Sequence, residues 1–559
     1  MSKETNPLLL TDFYKISHYQ QYPKGTEIVY SNLTARKSMI KGIDKVVFFG
    51  LQYFIKKYLI DYFDEHFFKK DKESIINDYS RRIRTSLGAD LPNYKHIEDL
   101  HDLGYLPLEI KALPEGSLVN LRVPMLTIKN TKPEFFWLTN FIESFMSCVL
   151  WKPITSATIA HEYRQLLDKY AEETGMPKEF VQWQGHDFSF RGMSCLESAE
   201  LSGMGHLLSF TGTDTIPAID AVENYYYENA EKYLIGGSVP ATEHSVMCTG
   251  SKEGEIDTFR RLITETYPKG IVSIVSDTWD LWKVCTEYLK ELKDLVMSRD
   301  GKVVIRPDSG DPVDILCGVP IISAKNVEEA GYILRETEWI ETPHGELGDY
   351  APSGYFSIDG KIIKVVINIE WNRYDKQYYY IDGHSIQSAG EVTLTPEEKG
   401  VVELLWEVFG GTINDKGYKI LDPHIGVIYG DSITLERAKN ICERLKQKGF
   451  ASQVVFGIGS YTYQYNTRDT FGMAIKATHA VVNREPRDLQ KSPVTDDGTK
   501  HSATGLLKVV KEGTEYKLIN KVSPEEEKEG CLRTVFKDGL IFNTDTFEGL
   551  RKRLHEQEG

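Results

Sequence analysis

The sequence predicts an α/β protein built on parallel strands, and three observations predict it. From about residue 180 onward, short continuous apolar runs alternate with helical patterns. Each run stops abruptly at Gly, Asp, Arg or Ser. One long interval breaks this rhythm and is rich in strand patterns and Asp-Gly pairs. Continuous apolar strands separated by helices are strands covered on both faces. They form either a β/α barrel or an open doubly wound sheet, and in both the ligand sits at the C-terminal strand ends.

The elements follow in order. Ile28 to Tyr30 and Leu108 to Ala112 read as strands, and Phe49 to Phe63 has apolar residues at helical spacing. Trp137 to Leu150 is apolar almost all round, which predicts a buried helix. Ile271 to Val275 ends at Ser276-Asp277, and Trp279 to Leu292 reads as the helix after it. Lys302 to Ile305 ends at Arg306-Pro307-Asp308-Ser309-Gly310. Ile425 to Ile428 ends at Gly430-Asp431-Ser432, and Thr434 to Lys448 is an amphipathic helix. Gln453 to Phe456 ends at Gly457-Ile458-Gly459-Ser460.

The interruption lies between Pro312 and Asp422. Strand patterns cover Tyr355 to Ile358, Lys361 to Trp371 and Gln377 to Ile381, with hairpin signals at Asp359-Gly360 and Asp382-Gly383. Val401 to Phe409 is then the delayed helix of the interrupted unit. Residues 318–400 therefore read as an inserted, mostly β subdomain. It leaves from just beyond a strand's C-terminal end, which puts it on the rim of the expected site.

Composition narrows the function. Among 559 residues, 66 Lys and Arg against 82 Asp and Glu give a net charge of −16, which argues against a nucleic-acid partner. No apolar run approaches the roughly 18 residues that cross a bilayer. Met1 to Tyr14 holds only Leu8 to Leu10 as an apolar run, so no signal peptide is expected, nor a membrane partner, and the cytoplasm is the expected location. The seven Cys are scattered without a Cys-x-x-Cys pair, which excludes a zinc ribbon and a disulfide framework.

Chemistry concentrates at the strand ends. Arg306 beside Asp308 suits a phosphate together with a hydroxyl or a metal, although a structural ion pair at a turn is an equal alternative. Gly430-Asp431-Ser432 and Gly457-Ile458-Gly459-Ser460 let backbone N–H groups approach a phosphate, and plain helix caps do the same locally. His186-Asp187-Phe188-Ser189-Phe190-Arg191-Gly192 holds an aromatic platform and an Arg, or else a strand with Phe188 and Phe190 in the core. Glu243-His244 offers a proton-transfer or nucleophilic imidazole with an acidic neighbour. No Gly-x-Ser-x-Gly, His-Glu-x-x-His or Walker loop occurs.

Taken together and in order, these motifs resemble the nicotinamide phosphoribosyltransferases of the type II phosphoribosyltransferase family. The matching segments are Thr11 to Tyr19, Leu106 to Gly116, Phe136 to Asn140, His186 to Gly192, Gly212 to Thr215, Ser238 to Ser245, Val275 to Asp277, Ile305 to Gly310, Gly430-Asp431, Phe456-Gly457 and Thr467 to Asp469. They span nearly the whole chain outside the insertion. Ser460 and Ala474 depart from the family pattern, where Gly and Ser stand.

The resemblance implies a β/α barrel packed on an α/β sandwich domain formed by N- and C-terminal segments. The division would be 1–150 with 470–559 for the sandwich and 151–469 for the barrel. It implies a homodimer with shared active sites. The reaction would join nicotinamide to phosphoribosyl pyrophosphate, with Mg²⁺ present and ATP as co-substrate through a phosphorylated His244. The catalytic residues would be His244, Asp277 and Asp308, the two aspartates also serving the metal. Arg191, His244 and Arg306 would contact pyrophosphate. Phe188 and Tyr14 would sandwich the pyridine ring, Tyr14 coming from the other subunit with Arg36 and Lys37. Gly430, Asp431, Gly459, Ser460 and Arg468 would hold the ribose and 5′-phosphate, and Lys476, Lys491 and Lys500 would lie near the phosphates. Asp214 would accept from the carboxamide N–H₂ and repel nicotinate. The rival within the same architecture is a nicotinate phosphoribosyltransferase; the rival outside it is a phosphosugar-binding barrel without activity.

Overall fold

The computed structural model describes residues 5–88, 91, 93–337, 353–367, 369–372, 377–380, 386–430, 432–490 and 503–558. The chain is a mixed α/β protein that divides into two compact units. One comprises Met1–Glu162, Asp187–Gly237 and Gly459–Gly559, the other Tyr163–His186 and Ser238–Ile458.

The first unit is organised by a seven-stranded antiparallel sheet that interleaves both ends of the chain. Its order is Glu485–Asp488, Ala474–Val482, Thr26–Thr34, Pro124–Asn130, Leu108–Ala112, Arg533–Lys537, Leu540–Ile541. Tyr30 thus faces Lys129 on one side and His479 on the other. Leu108, Ile110 and Ala112 are buried while Glu109 and Lys111 lie on the opposite face, the period-two pattern of a half-covered strand. The C-terminal segment is also tied in by a buried ion pair, Lys111 Nζ to Glu527 Oε2 at 2.6 Å.

The segment Leu106 to Gly116 shows why its residue types are needed. Its leucines and Ile110 enter the core. Gly116 has φ +80°, and a Cβ there would lie 2.7 Å from the carbonyl oxygen of Leu550. Glu115, next to it in the segment, is buried. Its carboxylate accepts from the backbone N–H of Gly50 (2.8 Å), from that of Gln52 and from the Tyr226 hydroxyl (2.9 Å). It therefore anchors the start of the helical stretch Leu51–Phe54, which runs on in wider turns through Ile55–Tyr62. The apolar stretch expected as one helix over Trp137 to Leu150 is instead a short turn of helix, Leu138–Phe141, followed by the long helix Glu143–Thr174.

The second unit carries parallel strands in the order Val454–Ile458, Ile425–Tyr429, Asp300–Arg306, Lys269–Val275. All neighbouring pairs are parallel, and Ala241 adds a single parallel bridge to Ser273 at the far edge. The curled, half-barrel form of the parallel sheet is the one this chain adopts, as opposed to a flat doubly wound sheet. Because the strands are parallel and in register, Val275 and Arg306 end side by side. The segments that follow them are thereby brought to one edge.

Residues 318–400 contain a sheet of their own, ordered Ile321–Ser323, Ser353–Ile358, Lys361–Ile367, Ile386–Glu391. Asp359 and Gly360 both have positive φ (51° and 77°), as a two-residue hairpin turn requires. The helix Val327–Thr337 covers one face, enclosing Ala330, Leu334, Phe356, Ile358, Val365 and Ile367. The Asp382-Gly383 turn lies outside the described residues. The two ends of the segment meet at a pair of glycines: a Cβ on Gly400 would fall 2.3 Å from the Gly318 nitrogen. Lys448 Nζ donates to the carbonyls of Cys317 and Lys399, both at 2.8 Å, and clamps the two passages of chain together. Since the entry and exit points coincide, joining Cys317 to Val401 through two glycines is expected to leave a cooperatively folding protein. Thermal melting by circular dichroism checks this; loss of a cooperative transition would show that the insertion is part of the folding core.

Candidate active site

In the second unit, three segments that follow parallel strands or precede a helix meet around an imidazole. Asp277 follows Lys269–Val275 and its side chain is 5% exposed. One carboxylate oxygen, Oδ2, accepts from the backbone N–H of Asp308 (2.8 Å) and from the Ser309 hydroxyl (2.6 Å). The other, Oδ1, is buried and has no hydrogen-bond partner among the described residues. His244 opens the helix His244–Thr249 and is half exposed. Its Nε2 lies 3.9 Å from Asp277 Oδ1 and 3.8 Å from Asp308 Oδ2. Its Nδ1 is 3.2 Å from the Thr278 hydroxyl.

Thr278, which sequence reasoning did not single out, is therefore the side chain that orients the ring. Glu243, expected to do so as the adjacent acid, instead accepts from the Ser245 hydroxyl. Its signal in the sequence was position alone, since Thr278 directly follows Asp277.

The Arg306 to Gly310 turn is held from several sides. Ser276 N donates to Arg306 O (3.0 Å), and the Tyr429 hydroxyl donates to Gly310 O (2.8 Å). Burial, and then the nearby carboxylates of Asp277 and Asp308, push the Tyr429 phenol well above its ordinary pKa. Gly430 is glycine for a steric reason. A Cβ there would sit 2.4 Å from Asp308 Oδ1, so a side chain would displace the carboxylate. Asp431 lies outside the described residues, as do Lys491 and Lys500.

In the first unit, Phe188, Arg191 and Asp214 come from two loops tied together by Asp187. The Asp187 side chain is fully buried and accepts from Ser189 N (2.9 Å) and the Thr215 hydroxyl (2.8 Å). Its carbonyl accepts from Asp214 N at 3.0 Å. The strand Gly212–Thr213 is held further by His206. Its Nε2 is 2.9 Å from Gly212 O, an acceptor only, so Nε2 carries the proton and Nδ1 accepts from the Tyr463 hydroxyl at 2.7 Å. Gly459 and Ser460 precede Tyr463 in the same unit. A Cβ on Gly192 would lie 2.1 Å from Ser460 Oγ, so the serine hydroxymethyl occupies the space beside Gly192.

The basic residues form a separate strip in this unit. Arg36 Nε donates to Gly472 O (2.9 Å), and Lys37 packs on Gly472, immediately after the Arg468–Thr470 turn. Arg468 pairs with Asp469 at 3.1 Å, and Lys476 lies opposite Asn32 in the sheet. Tyr14 stands at the surface, 61% exposed, with Lys15 Nζ 5.2 Å from its ring centre.

The family model described as the nicotinate phosphoribosyltransferase (NAPRTase) family matches residues 183–540, and that for the nicotinamide phosphoribosyltransferase N-terminal domain matches residues 6–110. The chain is 48% identical over 569 aligned residues to a nicotinamide phosphoribosyltransferase from Acinetobacter baylyi, covering 100% of this chain and 98% of that one. It is 33% identical to a nicotinamide phosphoribosyltransferase from Mycoplasma pneumoniae, covering 89% and 94%. Among solved structures, a nicotinate-nucleotide pyrophosphorylase from Pyrococcus furiosus superposes with a TM-score of 0.52 at 11% identity, covering 100% and 97%. That likeness bears on the fold alone.

Proposed function

The chain belongs to the nicotinate phosphoribosyltransferase (NAPRTase) family and within it to the nicotinamide phosphoribosyltransferases, which are pentosyltransferases, and on that premise we propose how its residues join nicotinamide to phosphoribosyl pyrophosphate. The products are nicotinamide mononucleotide and pyrophosphate, and the place of the reaction is NAD salvage. The observation that carries the residue roles is the imidazole of His244 set between the carboxylates of Asp277 and Asp308.

The bond that breaks joins ribose C1 to pyrophosphate; the bond that forms joins C1 to the pyridine nitrogen. Positive charge builds on the ribose ring while negative charge gathers on the leaving diphosphate. Catalysis of such a step is positioning and electrostatics. His244, Arg306 and Arg191 hold the diphosphate, and Asp308 accepts from a ribose hydroxyl. Gly430, Asp431, Gly459, Ser460, Arg468 and Lys476 hold the ribose and 5′-phosphate.

Asp277 and Asp308 are the residues that would hold Mg²⁺. The fit rests on the buried Asp277 Oδ1, which lacks a hydrogen-bond partner among the described residues, and on the hard oxygen donors that Mg²⁺ takes from one or two carboxylates plus substrate phosphates. Bound there, the ion would neutralise charge on the departing diphosphate. ATP acts as a co-substrate whose γ-phosphoryl passes to His244 with release of ADP.

Phe188 stacks on one face of the pyridine. Tyr14 and the basic pair Arg36 and Lys37 reach the site from a second copy of the chain, which makes the active form a homodimer. The exposure of Tyr14 supports this reading. The architecture we propose is a β/α barrel over 151–469 and an α/β sandwich built from 1–150 with 470–559.

The test is formation of mononucleotide from labelled nicotinamide and phosphoribosyl pyrophosphate, with and without ATP. Product, increased by ATP and accompanied by acid-labile phosphate on His244, is expected. No product from nicotinamide, but product from nicotinate, would favour the nicotinate-specific rival.

Asp214 is the group that chooses. A carboxylate accepts from a carboxamide N–H₂ and repels a second carboxylate by several kcal/mol, roughly, once both are desolvated. Asp214→Ser is expected to collapse the preference for nicotinamide over nicotinate, measured as the ratio of kcat/KM values. Full discrimination in that variant would remove Asp214 from this role.

A further inference from the structure

Asp187 is a fully buried carboxylate that touches none of the groups assigned to the reacting atoms, yet it joins the two loops that carry the proposed pyridine-binding residues. One carboxylate oxygen takes the Ser189 N–H, one residue beyond Phe188. The other takes the Thr215 hydroxyl, one residue beyond Asp214. Its own carbonyl takes the Asp214 N–H. Three bonds from one residue therefore fix the backbone on both sides of the proposed ring pocket.

The surroundings argue that this is its task. A Cβ on Gly203 would lie 3.4 Å from Asp187 Oδ2, so a residue without a side chain stands beside the fully buried carboxylate. An ionised group in such a place is costly unless hydrogen bonds hold it. Thr215 occupies the position before the helix Ile216–Tyr226, where a threonine hydroxyl ordinarily caps the helix. Here it makes no capping bond, and its proton goes to Asp187.

We propose that Asp187 is a positioning residue that sets the separation between the Phe188 ring and the Asp214 carboxylate, and so tunes affinity and selectivity for the carboxamide ring. The inference rests on the reading of Asp214 and Phe188 given above. The loops would still form without this tether, but their relative register would loosen, and the loss would fall on nicotinamide rather than on the phosphorylated substrate.

The experiment compares Thr215→Val, Thr215→Ser, Asp187→Asn and Asp214→Ser in the full-length protein. Thr215→Val removes the hydroxyl at nearly constant volume and disturbs no capping bond. A lost hydrogen bond to a charged acceptor corresponds to a change of about tenfold or more. Thr215→Val is expected to raise KM for nicotinamide by about tenfold, to leave KM for phosphoribosyl pyrophosphate within about twofold, and to narrow the nicotinamide-to-nicotinate ratio. Thr215→Ser restores the hydroxyl and is expected to return all three values. Asp187→Asn keeps an acceptor for Ser189 but replaces the charged one for Thr215, and should fall in between.

Loss of preference in Asp214→Ser with unchanged nicotinamide KM in Thr215→Val overturns the tether alone. An unchanged preference in Asp214→Ser overturns the reading on which the tether rests, and the tether with it. An equal rise in both KM values that tracks a fall in Tm shows Asp187 to be structural and also overturns the proposal.

Discussion

Replacing Asp277 by alanine is expected to lower kcat/KM for mononucleotide formation by about 100- to 1,000-fold, the range seen when a preorganised electrostatic group is removed. The side chain has two tasks. Through Oδ2 it holds the Asp308 N–H and the Ser309 hydroxyl, which fixes the turn after Asp300–Arg306. Through Oδ1 it faces His244 Nε2. Alanine removes both at once, so Asp308 loses its anchor and the imidazole loses one of its two carboxylates. Asp277→Asn separates the tasks. It can keep an oxygen toward the Asp308 N–H but not the charge toward His244. Steady-state kcat and KM for both substrates measure the effect, with Tm as the control for folding. A loss of less than about tenfold in the alanine variant would show that the cluster is a scaffold and not part of the catalytic machinery.

The largest effect on stability is expected at Glu115. Glu115→Ala leaves two backbone N–H groups and the Tyr226 hydroxyl without their acceptor in a buried place. Such losses cost about 1–3 kcal/mol per orphaned group, so Tm is expected to fall by several degrees, roughly. The pH dependence carries a separate signature. Burial pushes the Glu115 carboxyl up to about 7, against an ordinary value of 4.5. The native state thus holds a proton that the unfolded chain has released between these two values. Stability from this group is fully present below about 4.5, declines as pH rises, and is lost above about 7, a total of about 3 kcal/mol. Differential scanning calorimetry at pH 5 and pH 8 reads it. The wild-type protein should lose more stability between the two than Glu115→Ala does, and an equal loss in both would remove Glu115 as the source.

The parallel strands were legible because each is a short apolar run closed by small or charged residues. Ile425 to Ile428 is realised as Ile425–Tyr429, and Lys302 to Ile305 as Asp300–Arg306. The helix expected over Thr434 to Lys448 is Leu435–Gln447, with the Thr434 side chain capping its start by accepting from Arg437 N. The insertion was legible through its Asp-Gly turn, but the helix Val327–Thr337 was not. A glycine and β-branched residues blur its periodicity, and its apolar stripe is explained only by the sheet it covers.

The candidate site was legible in part. His244, Asp277, Arg306, Asp308 and Gly430 were named from strand-end chemistry and family motifs, and His244 does lie within 4 Å of both Asp277 and Asp308. Thr278 was missed because a hydroxyl partner of a histidine has no spacing rule when the two are 34 residues apart. Asp187 was noticed only as a neighbour of His186, because its partners Ser189 and Thr215 declare themselves only when two loops meet.

The residues by themselves determined where the parallel strands end, that Thr434 to Lys448 is helical, and which side chains can grip phosphate or donate and accept protons, because these follow from local pattern and covalent chemistry. Only the folded chain decided that Thr26–Thr34 pairs with Ala474–Val482, that the Thr215 hydroxyl donates to a buried carboxylate, and that Gly430 yields its space to Asp308. Those outcomes depend on atoms tens to hundreds of positions apart meeting within a few ångströms, and no window of neighbouring residues contains that meeting.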